Sequence, residues 1–195
     1  MGFNISGIII ENNFGKNIQK VSENLEIGFN IIGECASYEA TKRINERDKI
    51  FVCFTESSTI IFYEAEQFDR HIYSQTSNSL NFQYFEGPMI FAIRYVKDCE
   101  TVRNILSIDG QIIYSLGKIL KGETGTNRID ELVIKMAKQI SGISILGIDE
   151  QLQVTKCKIV DYDGKRMRKS EQEIHAMITE RRISRNFNPD YDILF

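Results

Sequence analysis

The stretch from Met89 to Leu120 constrains the fold most, because it reads as three successive antiparallel strands. Its first run, residues 89–96, is apolar and rich in strand-forming residues, and a polar break separates it from the second run. Asp109 and Gly110 separate the second run from the third. An Asp-Gly pair between apolar runs indicates a type I′ hairpin, whose two central residues need positive φ. We predict a three-stranded meander whose first strand lies inside a sheet.

Strand and helix patterns cover the chain on both sides of this meander. Residues 5–10 read as a buried strand, residues 14–25 as an amphipathic helix and residues 29–32 as a second strand. Residues 50–63 read as another hairpin, and residues 128–140 carry a helical apolar stripe. The sequence therefore predicts an α+β fold, with a central, mostly antiparallel sheet and helices packed mainly on one face.

The C-terminal part of the chain is predicted to form an appendage. Residues 152–162 alternate in polarity, which is the pattern of a half-exposed edge strand and makes them a candidate dimer edge. A basic helix over residues 170–183 and a tail follow. We predict a main α+β domain at residues 1–150. Residues 151–195 form a strand, a basic helix and a tail packed on that domain or extending from it.

Composition is typical of a globular protein of the cytoplasm. The 195 residues are 42% hydrophobic and 26% charged, which is ordinary for such proteins. No apolar run approaches the roughly 20 residues that cross a bilayer, and no signal-peptide pattern is seen. The four cysteines are scattered, as in a reducing compartment, and the frequent Ile, Asn, Lys and Glu suggest a bacterial source. The sequence predicts a bacterial cytoplasmic protein without a membrane span.

The sequence offers no catalytic set. His71 and His175 are the only histidines, and neither lies in a nucleophile or metal-ligand context. Gly117 and Gly122 have the spacing of a P-loop, but Glu123 stands where the phosphate-binding lysine is required, and its charge would repel phosphates. We therefore predict no catalytic residue, no metal and no cofactor, and we favour a protein that is not an enzyme.

Arginines and a glycine-containing loop support an alternative, a binder of small anions or an enzyme. Arg94 and Arg103 fall on adjacent predicted strands, where two guanidinium groups on one face would hold a carboxylate or phosphate. The loop from Gly122 to Arg128 precedes a helix N-terminus, which favours anions. The plainer interpretation pairs each arginine with a nearby acid on the wet face of the sheet. The candidate binding residues are Arg94, Arg103, Glu123, Thr124, Thr126 and Arg128.

A basic cluster supports a second alternative, nucleic-acid binding. Residues 156–185 carry nine Lys and Arg against five acids, which gives +4; the whole chain is −3, so the remainder is −7. Such a cluster can contact nucleic acid, an anionic membrane or an acidic partner. The aromatic side chains that stack on single strands are nearly absent, so nucleic acid is not favoured. The cluster consists of Lys165, Arg166, Arg168 and Lys169.

Protein–protein interaction is the function that these observations favour. A compact acidic α+β domain without a catalytic set resembles small bacterial immunity or adaptor-type proteins. That resemblance implies a protein that neutralises a toxin or bridges partners, and the acidic main body would suit a basic protein. We predict a protein partner and leave a homodimer open.

Overall fold

The computed structural model describes residues 3–40, 46, 48–64, 72–124, 128–146 and 152–160. The chain divides into two compact units, Met1–Asp161 and Tyr162–Phe195. The second unit, with the predicted basic helix and tail, lies outside the described residues. Within the described ranges, no helix is long and apolar enough to cross a membrane.

A single nine-stranded sheet, antiparallel at every neighbouring pair, dominates the first unit. Its strands in chain order are β1 (Asn4–Ile10), β2 (Phe29–Cys35), β3 (Lys49–Phe54), β4 (Thr59–Tyr63), β5 (Ser79–Phe85), β6 (Ile90–Lys97), β7 (Glu100–Ile108), β8 (Gln111–Gly117) and β9 (Val154–Ile159). Their order in space is β2-β9-β3-β4-β1-β5-β6-β7-β8. The two edges of the sheet are therefore β2 and β8.

The predicted meander is confirmed as β6, β7 and β8. Asp109 and Gly110 have φ values of 51° and 75°, the positive values that a type I′ turn requires. The turn between β6 and β7 has the same character without a glycine, since Asp98 and Cys99 have φ values of 51° and 61°. β6 lies inside the sheet as expected, and the other predicted hairpin is confirmed as β3 and β4.

Helices lie on both faces of the sheet. They are α1 (Ile18–Leu25), α2 (Ser37–Ala40) and α3 (Ile129–Ser141), and in the described part of the chain only α1 and α3 exceed a single turn. The apolar stripe of α3 packs in one core with Ile9 and Phe82. Leu25 of α1 lines a small apolar cavity with Ile8 and Ile61. Because successive strand residues point to opposite faces, α3 and α1 cover opposite sides, called here the α3 face and the α1 face.

The predicted fold class is wrong in its balance of helix and strand. The part of the chain that the structure describes is predominantly β, because its two longer helices, α1 with eight residues and α3 with thirteen, are too short to form a helical layer over nine strands. The helices also do not share one face. The opening strand–helix–strand order is confirmed as β1, α1 and β2.

The predicted C-terminal edge strand is also wrong, since β9 lies between β2 and β3. Lys156 and Lys158 suggested exposure, but long side chains reach water from an interior strand. The Lys156 amine lies 5.6 Å from the centroid of the Phe51 ring, and Lys158 Nζ lies 3.2 Å from Asp48 Oδ2. Because β9 is paired on both sides, it is not the dimer edge. The division into two domains at residue 150 stays a prediction.

Candidate functional site

The two arginines of the predicted anion site point to opposite faces of the sheet. Across β6 and β7, Tyr95 pairs with Arg103 and Arg94 pairs with Asn104. Directly opposed residues share a face, and successive residues alternate between faces. Arg103 therefore lies on the α3 face and Arg94 on the α1 face, so the prediction that they meet is wrong.

One extra residue in β7 causes this separation. Lys97 pairs with Glu100 beside the turn, but the register shifts by one residue at Val102. Without that β-bulge, the regular hairpin would place Arg94 directly opposite Arg103. Like charges directly opposite each other destabilise a sheet, and the bulge avoids this arrangement.

Arg94 is buried in a polar row on the α1 face. It is 4% exposed and lies between Asn81 of β5 and Asn104 of β7. The Asn81 side chain accepts a hydrogen bond from Tyr63 Oη at 2.9 Å and donates one to the Ile72 carbonyl oxygen at 2.9 Å. The Arg94 guanidinium therefore belongs to the interior and is not presented to solvent.

Arg103 forms a buried ion pair with Glu123. Its Nε donates to Oε1 of Glu123 at 2.8 Å and its Nη2 to Oε2 at 2.7 Å, while Nη1 donates to the Leu116 carbonyl oxygen at 3.1 Å. Oε1 also accepts from the Leu120 N–H at 2.8 Å. The two side chains are 6% and 12% exposed. A bidentate pair of this kind satisfies both partners, so it fastens the segment after β8 to the sheet.

The described remainder of the loop from Gly122 to Arg128 forms no hydrogen bond with this ion pair. Thr124 is exposed, and Thr126 lies outside the described residues. The Arg128 side chain is 68% exposed and donates to both carboxylate oxygens of Asp130, at 2.6 and 3.2 Å. Those hydrogen bonds raise the pKa of Arg128. Of the predicted anion-binding residues, the structure brings together Arg103 and Glu123, and they bind each other.

Several predicted features cannot be placed. The basic cluster (Lys165, Arg166, Arg168 and Lys169) and both histidines (His71 and His175) lie outside the described residues. Nucleic-acid binding through the basic cluster therefore stays a prediction. Among the residues that the structure does describe, no three His, Cys, Asp or Glu side chains are placed to hold a metal ion.

The cysteines differ sharply in exposure. Cys53 and Cys157 are fully buried, and desolvation raises the pKa of each thiol from 9.0 to about 11. The thiolate is the reactive form of cysteine, so both stay protonated and inert at neutral pH. Cys99 is exposed in the turn between β6 and β7, and all four cysteines are free thiols.

The outer edge of β8 is a feature that the sequence patterns did not reveal. β8 pairs with β7 on one side, and no described strand pairs with its other side. Its seven residues include no charge and no proline. Large apolar side chains on and just after it are exposed: Ile112 (57%), Ile113 (53%), Leu116 (38%) and Ile119 (77%). We call this surface the β8 edge.

Natural proteins usually protect an edge strand with charges, prolines or bulges. The β8 edge has one such device, a bulge at Ile113 where its register with β7 shifts. The β2 edge has a matching bulge at Ile32, which is 48% exposed, but it also carries Glu34 within the strand. An uncharged, apolar edge is a template for pairing with another chain.

No protein-family model matches this chain, and no curated protein or solved structure matches it either.

Proposed function

We propose that this protein acts by binding another polypeptide at the β8 edge, without catalysis of its own. The observation that supports the proposal is an uncharged strand whose outer edge pairs with no described strand, with three large exposed apolar side chains on it and a fourth, Ile119, just after it. In strand addition, the backbone of the incoming segment supplies the hydrogen bonds, and its side chains provide selectivity. Immunity and adaptor functions in a bacterial cytoplasm depend on such contacts, and the four free thiols are consistent with that compartment.

The alternative of anion binding gains no support from the arrangement of the arginines. Arg103 already binds the carboxylate of Glu123 through two nitrogens, and Arg94 lies on the opposite face. Nucleic-acid binding is supported only by the basic cluster in the sequence. Strand addition is supported by a surface that the structure describes, the β8 edge.

The proposal is tested by isolating the protein gently from its own cells and recording native mass spectra. The expected result is a second polypeptide chain bound at fixed stoichiometry. Binding is then measured between purified components for the natural chain, for Ile113→Lys on the β8 edge and for Ile32→Lys on the β2 edge. The two substitutions are matched, because both isoleucines occupy bulges and are 53% and 48% exposed.

Ile113→Lys is expected to weaken binding at least about tenfold, which corresponds to about 1.4 kcal/mol, because a charge and its hydration shell would have to be buried. Ile32→Lys is expected to leave the affinity within about twofold, a difference of about 0.4 kcal/mol. Equal affinities for the two variants would overturn the assignment of binding to β8. A bound small-molecule mass in place of a polypeptide would instead favour the anion-binding or enzyme alternative.

A further inference from the structure

We propose that the polypeptide at the β8 edge is β8 of a second copy of this chain. The result is a homodimer in which two sheets join edge to edge. This inference rests on the proposed function, because it names the partner for the same surface. A homodimer with two-fold symmetry uses the same patch on both copies, and two identical strands related in this way run antiparallel when they extend one sheet.

The charges that flank β8 favour this antiparallel pairing. Asp109 lies just before the strand and Lys118 just after it, and both are exposed. In the dimer, the Asp109 end of each strand lies beside the Lys118 end of the other. The pairing therefore brings opposite charges together twice, and the uncharged strand between them adds no repulsion.

Exposed apolar side chains lie along the same segment. Ile112 and Ile113 lie in the first half of the segment, and Leu116 and Ile119 lie towards its other end. Ile112 pairs with Ser107 on the α3 face, and Leu116 pairs with Asn104 on the α1 face. In the dimer, each copy therefore places an exposed apolar side chain beside the junction on each face of the joined sheet. Their removal from water provides a favourable free energy of association.

Sedimentation equilibrium of the full chain at micromolar concentrations tests the proposal. The expected mass is twice the 22.5 kDa of one chain. Ile113→Lys is expected to sediment as a monomer, and the matched Ile32→Lys as a dimer. Thermal denaturation of each variant checks that a loss of the dimer is not a loss of the fold.

A charge exchange distinguishes a second copy from any other partner. Asp109→Lys alone and Lys118→Asp alone each place like charges side by side in the dimer, and each is expected to weaken self-association about tenfold. The double variant restores both attractions and is expected to recover most of the natural affinity. A different partner protein does not carry the exchanged charges, so its affinity would not recover in the double variant.

A natural chain that stays monomeric overturns the homodimer. In that case the proposed function still stands if a co-purifying polypeptide binds the natural chain and loses affinity with Ile113→Lys. A dimer that Ile113→Lys and the charge exchange leave unchanged is formed by another surface, and it also overturns the inference.

Discussion

Removing the carboxylate of Glu123 is expected to destabilise the protein strongly. Glu123→Ala takes two hydrogen bonds from the guanidinium of Arg103, whose side chain is 6% exposed, and one from the N–H of Leu120. Breaking a buried ion pair by deleting one partner costs about 3–5 kcal/mol. Domains of ordinary stability have only about 5–15 kcal/mol. We therefore expect the melting temperature to fall by about 10 °C.

Two matched variants identify the burial of the charge as the cause. Arg128→Ala removes an exposed ion pair with Asp130 and is expected to cost less than about 1 kcal/mol. Replacing both buried partners, as Arg103→Met with Glu123→Leu, is expected to cost less than Glu123→Ala alone, because no charge is then left buried without its partner.

Urea unfolding followed by far-ultraviolet circular dichroism measures these differences, since the chain has no tryptophan. A free energy of unfolding for Glu123→Ala within about 1 kcal/mol of that for Arg128→Ala would refute the reasoning. It would show that the pair does not hold the segment after β8 against the sheet.

Two glycines and three cysteines provide the remaining tests, again by urea unfolding. Gly7→Ala is expected to lower the free energy of unfolding by about 1–3 kcal/mol, because the alanine Cβ would lie 2.4 Å from a carbonyl oxygen of β4. Gly87→Ala is the control, since its Cβ would have no atom within 4 Å. An equal loss of stability in the two variants would contradict the clash. Cys99→Gly is expected to stabilise the turn by about 0.5–1 kcal/mol, because Cys99 has φ of 61°; a loss of stability would contradict this. Burial raises the pKa of Cys53 and Cys157 from 9.0 to about 11, so their contribution to stability is complete below pH 9.0 and is lost as the pH rises towards 11. A flat stability profile over that range would show that the thiols ionise in the folded state.

Local features of the fold were predictable from the sequence, and long-range pairing was not. The turn at Asp109 and Gly110 needs a particular backbone conformation, so two residues sufficed to predict it. The helix predicted over residues 128–140 from its apolar stripe matches α3 to within one residue at each end. The position of β9 was not predictable, because its partners β2 and β3 lie more than 100 residues earlier and its lysines imitate an exposed edge.

The predicted meeting of Arg94 and Arg103 on one face was wrong for a similarly specific reason. The sequence placed Arg94 and Arg103 correctly on neighbouring strands. A bulge at Val102 then moved them to opposite faces, and a single inserted residue leaves no periodic signal in the sequence. The β8 edge had a weak signal, because β8 ends a meander and a helix rather than a strand follows it. Its apolar composition nevertheless favoured a buried position.

The place of β9 in the sheet has a consequence for synthesis of the protein. β9 is the last of the nine described strands to leave the ribosome, yet it fills the gap between β2 and β3. About 100 residues separate β3 from β9, which at about 5–20 residues per second takes about 5–20 seconds. For that time the nascent chain carries a β3 with one open edge and a β2 without a sheet neighbour. Because open edges recruit other strands, protection of the growing chain from such pairing matters most in this interval. The interval ends when β9 inserts between β2 and β3.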